Sequence, residues 1–455
     1  MNVSRHGPSP EMPGRWLANP GRRVRLLRRA LFLLGAVGLT LALGFVPVDA
    51  GQSSQAASTV YLPDVAGAPR PTPVPPSGPA PWPMQQHDVG RSGLTSSVGP
   101  QSPSLAWVSS AQTQYMHYGV GQPSVGADGT IYVYVFNTGL YAFAPDGQVR
   151  WHVAADASYL DAPAIGPNGL VYVPIQSGTS DGIEAVDSQG GIQWSTYLPG
   201  NGQQVAVSAA LTVESDGTIL FPAALLASGS GSGTGELFAI HPDGTLAWSQ
   251  PLPGSVSGVA VGADGTIYVE SQSDGLHAFT STGVPKWTYP AQFLSDTLPV
   301  IGPDGTIFFE ATNGGIFALN PDGTLKWQDA AVRASGAFAN GPLVVGKDGT
   351  VYFGSAYPWF YAMSADGSSI KWKFNTGTDS FDEYPIIDGN GTIFLADGSK
   401  LFAINPDGTL KWQTGQITGP NGLGGFATST ALGADGTLYV GLGNTRSVLA
   451  AFRAP

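Results

Sequence analysis

From Pro123 to the C-terminus one arrangement of apolar and polar positions keeps returning. A short apolar segment leads into a Gly-x-Asp-Gly-Thr turn. An apolar run follows, then a polar loop, a second run containing Ala, a Pro-Asp-Gly-type turn and finally a Trp. The first copy reads Pro123-Ser-Val-Gly-Ala-Asp128-Gly129-Thr130-Ile131-Tyr132-Val133, then Gly139-Leu140-Tyr141-Ala142-Phe143, Pro145-Asp146-Gly147 and Trp151. Asp-Gly between two β runs is a strong hairpin signal, because both residues tolerate positive φ. The phrase therefore predicts four antiparallel strands joined by tight turns.

The runs after the first turn begin at Ile131, Val171, Ile219, Ile267, Ile307, Val351, Ile393 and Leu438, in steps of 40 to 48 residues. Four strands at that period are the signature of a propeller blade. Ile131-Tyr-Val-Tyr-Val135 and Ile307-Phe-Phe309 are apolar without alternation, as expected of strands covered on both faces. Tryptophans recur at Trp107, Trp151, Trp194, Trp248, Trp287, Trp327, Trp372 and Trp412, also eight, but out of phase with the turns. Leu105-Ala-Trp107-Val108 precedes every turn unit, and the last unit ends the chain without a Trp strand. The expected fold is all-β: an eight-bladed β-propeller of four-stranded antiparallel blades, closed by an N-terminal strand that completes the last blade. Such a clasp leaves no open seam.

Composition adds to this. Only 11% of residues are charged, against roughly 25% in an ordinary globular chain. The first thirty residues carry seven arginines against Glu11, and an uncharged run from Ala30 to Val48 follows, with Val48-Asp49-Ala50 as a cleavage site. Residues 1–50 are read as a signal peptide or an N-terminal membrane anchor, residues 51–81 as a Pro-rich linker, and residues 82–455 as the propeller. Export to the periplasm, cell surface or medium follows, with membrane contact only through the N-terminal segment. The chain has no cysteine, which excludes disulfides and thiolate metal sites. A net charge of −12 argues against nucleic acid. A monomer is expected.

The phrase resembles the PQQ-like (quinoprotein-type) propeller repeat. The resemblance spans residues 82 to 455, including the lead-in Trp82-Pro-Met-Gln-Gln-His-Asp-Val-Gly-Arg-Ser-Gly-Leu94, and Ala185-Val-Asp187-Ser-Gln-Gly190-Gly-Ile-Gln-Trp194 is the copy nearest to the usual motif. His241, Asn320, Ser364 and Asn405 stand where that motif has Asp. The resemblance implies a Trp docked on a Gly-Ala-containing strand of the adjacent blade. In catalytic members it implies a calcium-binding Glu/Asn/Asp set and a vicinal disulfide beneath the quinone. The missing cysteines remove that disulfide, so the non-catalytic branch is expected, similar to the propeller subunit of the bacterial outer-membrane β-barrel assembly machinery. That subunit's lipid-bearing cysteine has no counterpart here.

Other chemistry is weakly represented. Gly178-Thr179-Ser180-Asp181-Gly182 matches a nucleophile elbow but falls in a hairpin loop. Gly422-Leu-Gly424-Gly-Phe-Ala427 matches a dinucleotide pattern but no helix follows. The six histidines lack metal spacing, and the repeated Asp-Gly pairs are explained by turn chemistry. No metal, cofactor or catalytic residue is expected. The expected function is extracytoplasmic binding of an envelope or extracellular protein. A carbohydrate-binding module or enzyme using the central funnel, taking a glycan, and a passive cell-surface structural module stand as alternatives.

Binding is expected on one rim. The loops entering the innermost strands hold Tyr115, His117, Tyr118, Tyr159, Asp161, Phe293, Asp296, Phe381, Asp382 and Glu383, and the middle loops add Glu270, Asp274, Glu310, Asn313, Tyr357 and Trp359. Aromatics beside carboxylates suit a protein hot spot or a sugar platform.

Overall fold

The computed structural model describes residues 82–454 except for 110–119, 137, 155–161, 178–179, 201–202, 208–209, 227–232, 293–297, 312–314, 330–331, 333–341, 356–357, 378–383, 399, 418–425 and 444–447. The export segment and linker expected at 1–81 lie outside the described residues. Each repeat folds as an antiparallel meander, and eight such four-stranded blades make up the ring. Blade 1 comprises Ser124–Val125, Ile131–Val135, Gly139–Phe143 and Val149–Ala154, numbered here from the axis outward. The second and third strands are buried on both faces, whereas the fourth alternates toward solvent.

Blade 8 takes its first three strands, Phe426–Leu432, Leu438–Gly443 and Leu449–Phe452, from the C-terminus, and its outermost, Leu105–Val108, from the N-terminus. The register pairs Trp107 with Ala451. The clasp is therefore as the phase offset predicted.

Each Trp sits opposite the Ala of its own blade's third strand: Ala142↔Trp151, Ala278↔Trp287 and Ala403↔Trp412. A small residue there lets the indole cross to the second strand, where it tilts against Tyr132, Tyr268 or Phe394. Docking on the adjacent blade differs from what the resemblance implied. Its target is the glycine of the next blade's third-to-fourth-strand turn, not an Ala strand. Trp287 donates its indole N–H to Pro321 O at 3.1 Å, and Gly323, at φ +85°, lies so close that a Cβ would stand 2.6 Å from the ring. Trp412 has no such turn to meet, because the chain termini interrupt blade 8. It donates to Pro100 O at 2.9 Å instead.

Gly323→Ala should therefore lose about 2–3 kcal/mol, from the left-handed backbone and the displaced indole together. Gly377 has φ +79° and nothing within 4 Å of a would-be Cβ, so Gly377→Ala should cost only the backbone share, about 1 kcal/mol. Equal losses in chemical denaturation would remove the inter-blade contact from this account.

A thirty-third strand, Gln204–Val207, lies between blades 2 and 3. It pairs antiparallel with Ile219–Leu226 and, through Val205↔Ser180, parallel with blade 2, so these two blades form one nine-stranded sheet. Together with the long hairpin of blade 3, Ile219–Leu226 to Gly233–Ile240, it accounts for the two 48-residue steps in the repeat.

Candidate functional site

An antiparallel meander sends its first-to-second and third-to-fourth connections to one rim, and the others to the opposite rim. On the first rim every first-to-second turn has five residues, and the third-to-fourth turns have five residues in six blades and six in blade 6. On the second rim the connections between blades run from three to fifteen residues, and those between the second and third strands from two to six. One rim is constant and the other variable.

The constant rim is held by its own chemistry. Asp128 accepts the Thr130 N–H at 2.9 Å and the Thr130 hydroxyl at 2.6 Å, and Asp264, Asp348 and Asp435 repeat this. In four blades the cation that precedes the Trp reaches back to the same carboxylate: Arg150 to Asp128 at 2.9 Å, Lys286 to Asp264 at 3.6 Å, Lys326 to Asp304 at 2.8 Å and Lys371 to Asp348 at 3.2 Å. Burial raises the Asp304 carboxyl, but Lys326 and Thr306 outweigh it and hold it at about 2. These aspartates are thus engaged in closing turns, as their sequence context suggested.

The axis at this rim is closed by the lead-in segment. Residues 82–99 form a strap that follows the ring, receiving backbone N–H bonds from the last residue of successive innermost strands. Val125 donates to Trp82 O, Ile165 to Pro83 O, Val261 to Val89 O, Ile301 to Gly90 O and Ile387 to Gly93 O, all at 2.7–2.8 Å. Arg91, fully buried at φ +58°, ties blade 3 to blade 4. Its Nε donates to Val259 O at 3.0 Å, and its Nη2 to Ala210 O, Leu211 O and the Thr212 hydroxyl at 3.1, 3.3 and 2.7 Å. Gln86 Nε2 reaches Leu343 O of blade 6 at 3.0 Å. Any funnel through the ring is thus blind at the constant rim. Sequence reading missed this strap; its one signal is a lone arginine between Gly90 and Gly93.

Of the residues expected to bind, Tyr115, His117, Tyr118, Tyr159, Asp161, Phe293, Asp296, Asn313, Tyr357, Phe381, Asp382 and Glu383 lie outside the described residues. The other four are placed. Glu270 and Glu310, expected on loops, instead fall within the second strands Ile267–Ser271 and Ile307–Glu310 and are buried, because each strand runs on to pair with Leu276 or Ile316. Ser257 donates to Glu270 Oε2 at 3.0 Å. Asp274 is half-buried and lies 2.8 Å from His277 Nε2. Trp359 opens the third strand of blade 6, half-buried, with Lys373 Nζ 4.4 Å from its ring centroid. Among the described residues, no group of three or more His, Asp or Glu is arranged to hold a metal ion.

Glu214 was also missed. It stands where six other blades have glycine at the start of the first turn. Burial, and then Asp216, push its carboxyl up from 4.5 to about 7. A raised acid resists ionisation in the folded state, so a stability cost grows from about pH 4.5 to pH 7 and stays constant above. Glu214→Gln should match the parent below pH 4.5 and melt about 1–3 °C higher at pH 8, an amount discounted for partial exposure. A pH-independent difference would contradict this.

The repeats, the ring and its strap place the chain among known propellers. A family model described as outer membrane protein assembly factor BamB matches residues 91–230, 179–337 and 323–454. The chain belongs to this PQQ-like β-propeller family. Solved structures agree on the fold. Quinohemoprotein alcohol dehydrogenase from Comamonas testosteroni is 14% identical at a TM-score of 0.61, covering 82% of this chain and 80% of that one. A europium-containing methanol dehydrogenase is 13% identical at 0.63, covering 81% and 90%. BamB from Moraxella catarrhalis is 14% identical at 0.52, covering 74% and 97%. No curated protein matches the sequence. At these identities the PQQ-like propeller is shared as architecture, and the neighbours include enzymes as well as an assembly factor.

Proposed function

We propose that this chain is an exported binding scaffold that holds an envelope protein on its variable rim and catalyses nothing. The observation that carries the reading is the contrast between rims: turns of five or six residues on one side, connections of three to fifteen between blades on the other. Loops on a rigid frame are where binding residues collect, and the constant rim has its carboxylates engaged and its axis strapped. The family description, an outer membrane protein assembly factor, and the BamB neighbour from Moraxella catarrhalis favour a protein partner. The basic N-terminus followed by an apolar run favours export.

Quinone-dependent oxidation is the competing reading, from the dehydrogenase neighbours. The described axial residues do not fit an anionic quinone with its calcium. Arg91 is engaged by carbonyls of blades 3 and 4, and the described residues hold no cluster of three or more carboxylates or histidines for the calcium.

The rim is tested by replacing Tyr118, Trp359, Phe381 and Asp382 together with Ala. Capture of the partner from native envelope should fall by at least about tenfold, as for loss of hot-spot residues, with the melting temperature nearly unchanged. Retained capture, with loss instead on substituting Asp146, Asp243, Asp322 and Asp407, would put the partner on the constant rim.

A further inference from the structure

We propose that the outermost strand of blade 2, Ile192–Tyr197, pairs edge to edge with the same strand of a second copy of this chain, joining two propellers across a two-fold axis. Among the described residues, each blade ends in a strand whose outer edge has no neighbour. Such an edge is a template for association, and folded proteins block it with charge, proline or short length. Seven of the eight are blocked. Blades 1, 4, 5, 6 and 7 carry an Arg or Lys directly before the Trp. The strand of blade 8 has four residues, and that of blade 3 contains Pro251, whose missing N–H interrupts the edge. Ile192-Gln-Trp-Ser-Thr-Tyr197 has six residues, no charge and no proline.

Its two sides differ. Trp194 and Thr196 turn to blade 3, donating to Pro242 O at 3.0 Å and Gly244 O at 2.6 Å. Ile192, Gln193, Ser195 and Tyr197 are exposed, Ile192 and Tyr197 each at 52%. The Leu198 N–H donates inward to Asp181 O at 3.1 Å, and the register runs on through Thr196↔Ile183 and Trp194↔Ala185. Inward and outward residues alternate along an antiparallel strand, so Ser195 and Tyr197 direct both N–H and C=O to the free edge.

A second copy answers this edge in shape and in charge. A two-fold at Ser195 runs the strands antiparallel over their full length and sets the Tyr197 end of each on the Ile192 end of the other. Both exposed apolar residues are then covered in both copies. A neutral edge meets a neutral edge, whereas a charged strand would be desolvated with nothing to pair it. Because the other outermost strands are blocked, the contact closes at two copies and does not grow into a filament. Six residues a side fall well short of the roughly 20–30 of a standard interface, so the pair is reversible, with dissociation in the micromolar range or weaker. The strand lies on the outer wall of the ring, so pairing leaves the variable rim free and the inference does not depend on the scaffold reading.

Sedimentation velocity of the full chain should show a monomer–dimer equilibrium between about 1 and 200 µM. Ser195→Lys gives blade 2 the residue that follows the Trp in blade 6, Lys373, and should weaken the dimer about tenfold with the melting temperature nearly unchanged. The chain has no cysteine, so Ser195→Cys introduces one thiol per copy. On the two-fold the Cα atoms at this position lie about 5.5 Å apart, within disulfide reach. Mild oxidation should therefore link two copies of Ser195→Cys, and should not link Thr288→Cys, at the same place on blade 4. The cysteine pair decides the matter should the lysine variant fail to fold. No association up to about 200 µM would overturn the proposal, as would a dimer unchanged by Ser195→Lys, or equal linking of the two cysteine variants.

Discussion

Removing residues 82–110 is expected to leave a chain that aggregates, or melts on the order of 10 °C or more below the parent. Two separate supports are lost. The clasp takes with it the fourth strand of blade 8, exposing the edge of Leu449–Phe452, whose residues are all buried. An uncovered apolar edge strand is a template for association. The strap takes with it the acceptors for five innermost-strand N–H groups and the carbonyl that receives Trp412. The loss therefore reaches blades far from the seam. Size-exclusion chromatography with thermal unfolding reads both effects, and an unchanged monomer of unchanged melting temperature would defeat the closure described here.

Arg91→Met should cost about 3–5 kcal/mol, among the largest effects of any single substitution. Arg91 is completely buried, and its guanidinium meets carbonyls of residues 85, 210, 211 and 259 and the Thr212 hydroxyl. A methionine fills the volume but removes every guanidinium donor, leaving Val259 O only the Thr212 hydroxyl at 3.2 Å. Arg91→Lys should recover little, because a single ammonium cannot span Val259 O and Ala210 O as the planar fork does. Chemical denaturation of both variants checks this; a lysine variant as stable as the parent would reduce the arginine to a point charge.

The sequence made the repeated elements readable because their causes are local. Asp-Gly demands a particular turn, and Gly129, Gly265 and Gly349 all adopt the positive φ this requires. The clasp was also legible, since counting Trp strands against turn units leaves one without a partner. The strap was not. Its bonds are made by backbone carbonyls, which any residue carries, to strands as far away as Ile387. The strand Gln204–Val207 was hidden likewise: the long step signalled extra chain but nothing local assigned it to a sheet. Glu270 and Glu310 read as loop residues because charge after an apolar run usually marks its end, yet both strands continue through them. On the constant rim, Asp turns and the Lys or Arg before Trp151, Trp287, Trp327 and Trp372 were both visible, but their pairing depends on the fourth strand folding back alongside the first turn.

Site-specific photo-crosslinking in native envelope reads directly which rim holds the partner. A crosslinking residue is placed singly at Tyr118, Trp359 and Asp382 on the variable rim, and at Asp146, Asp243 and Asp407 on the constant rim. The first three should join one common protein and the last three none. Adducts from the constant rim alone would contradict this.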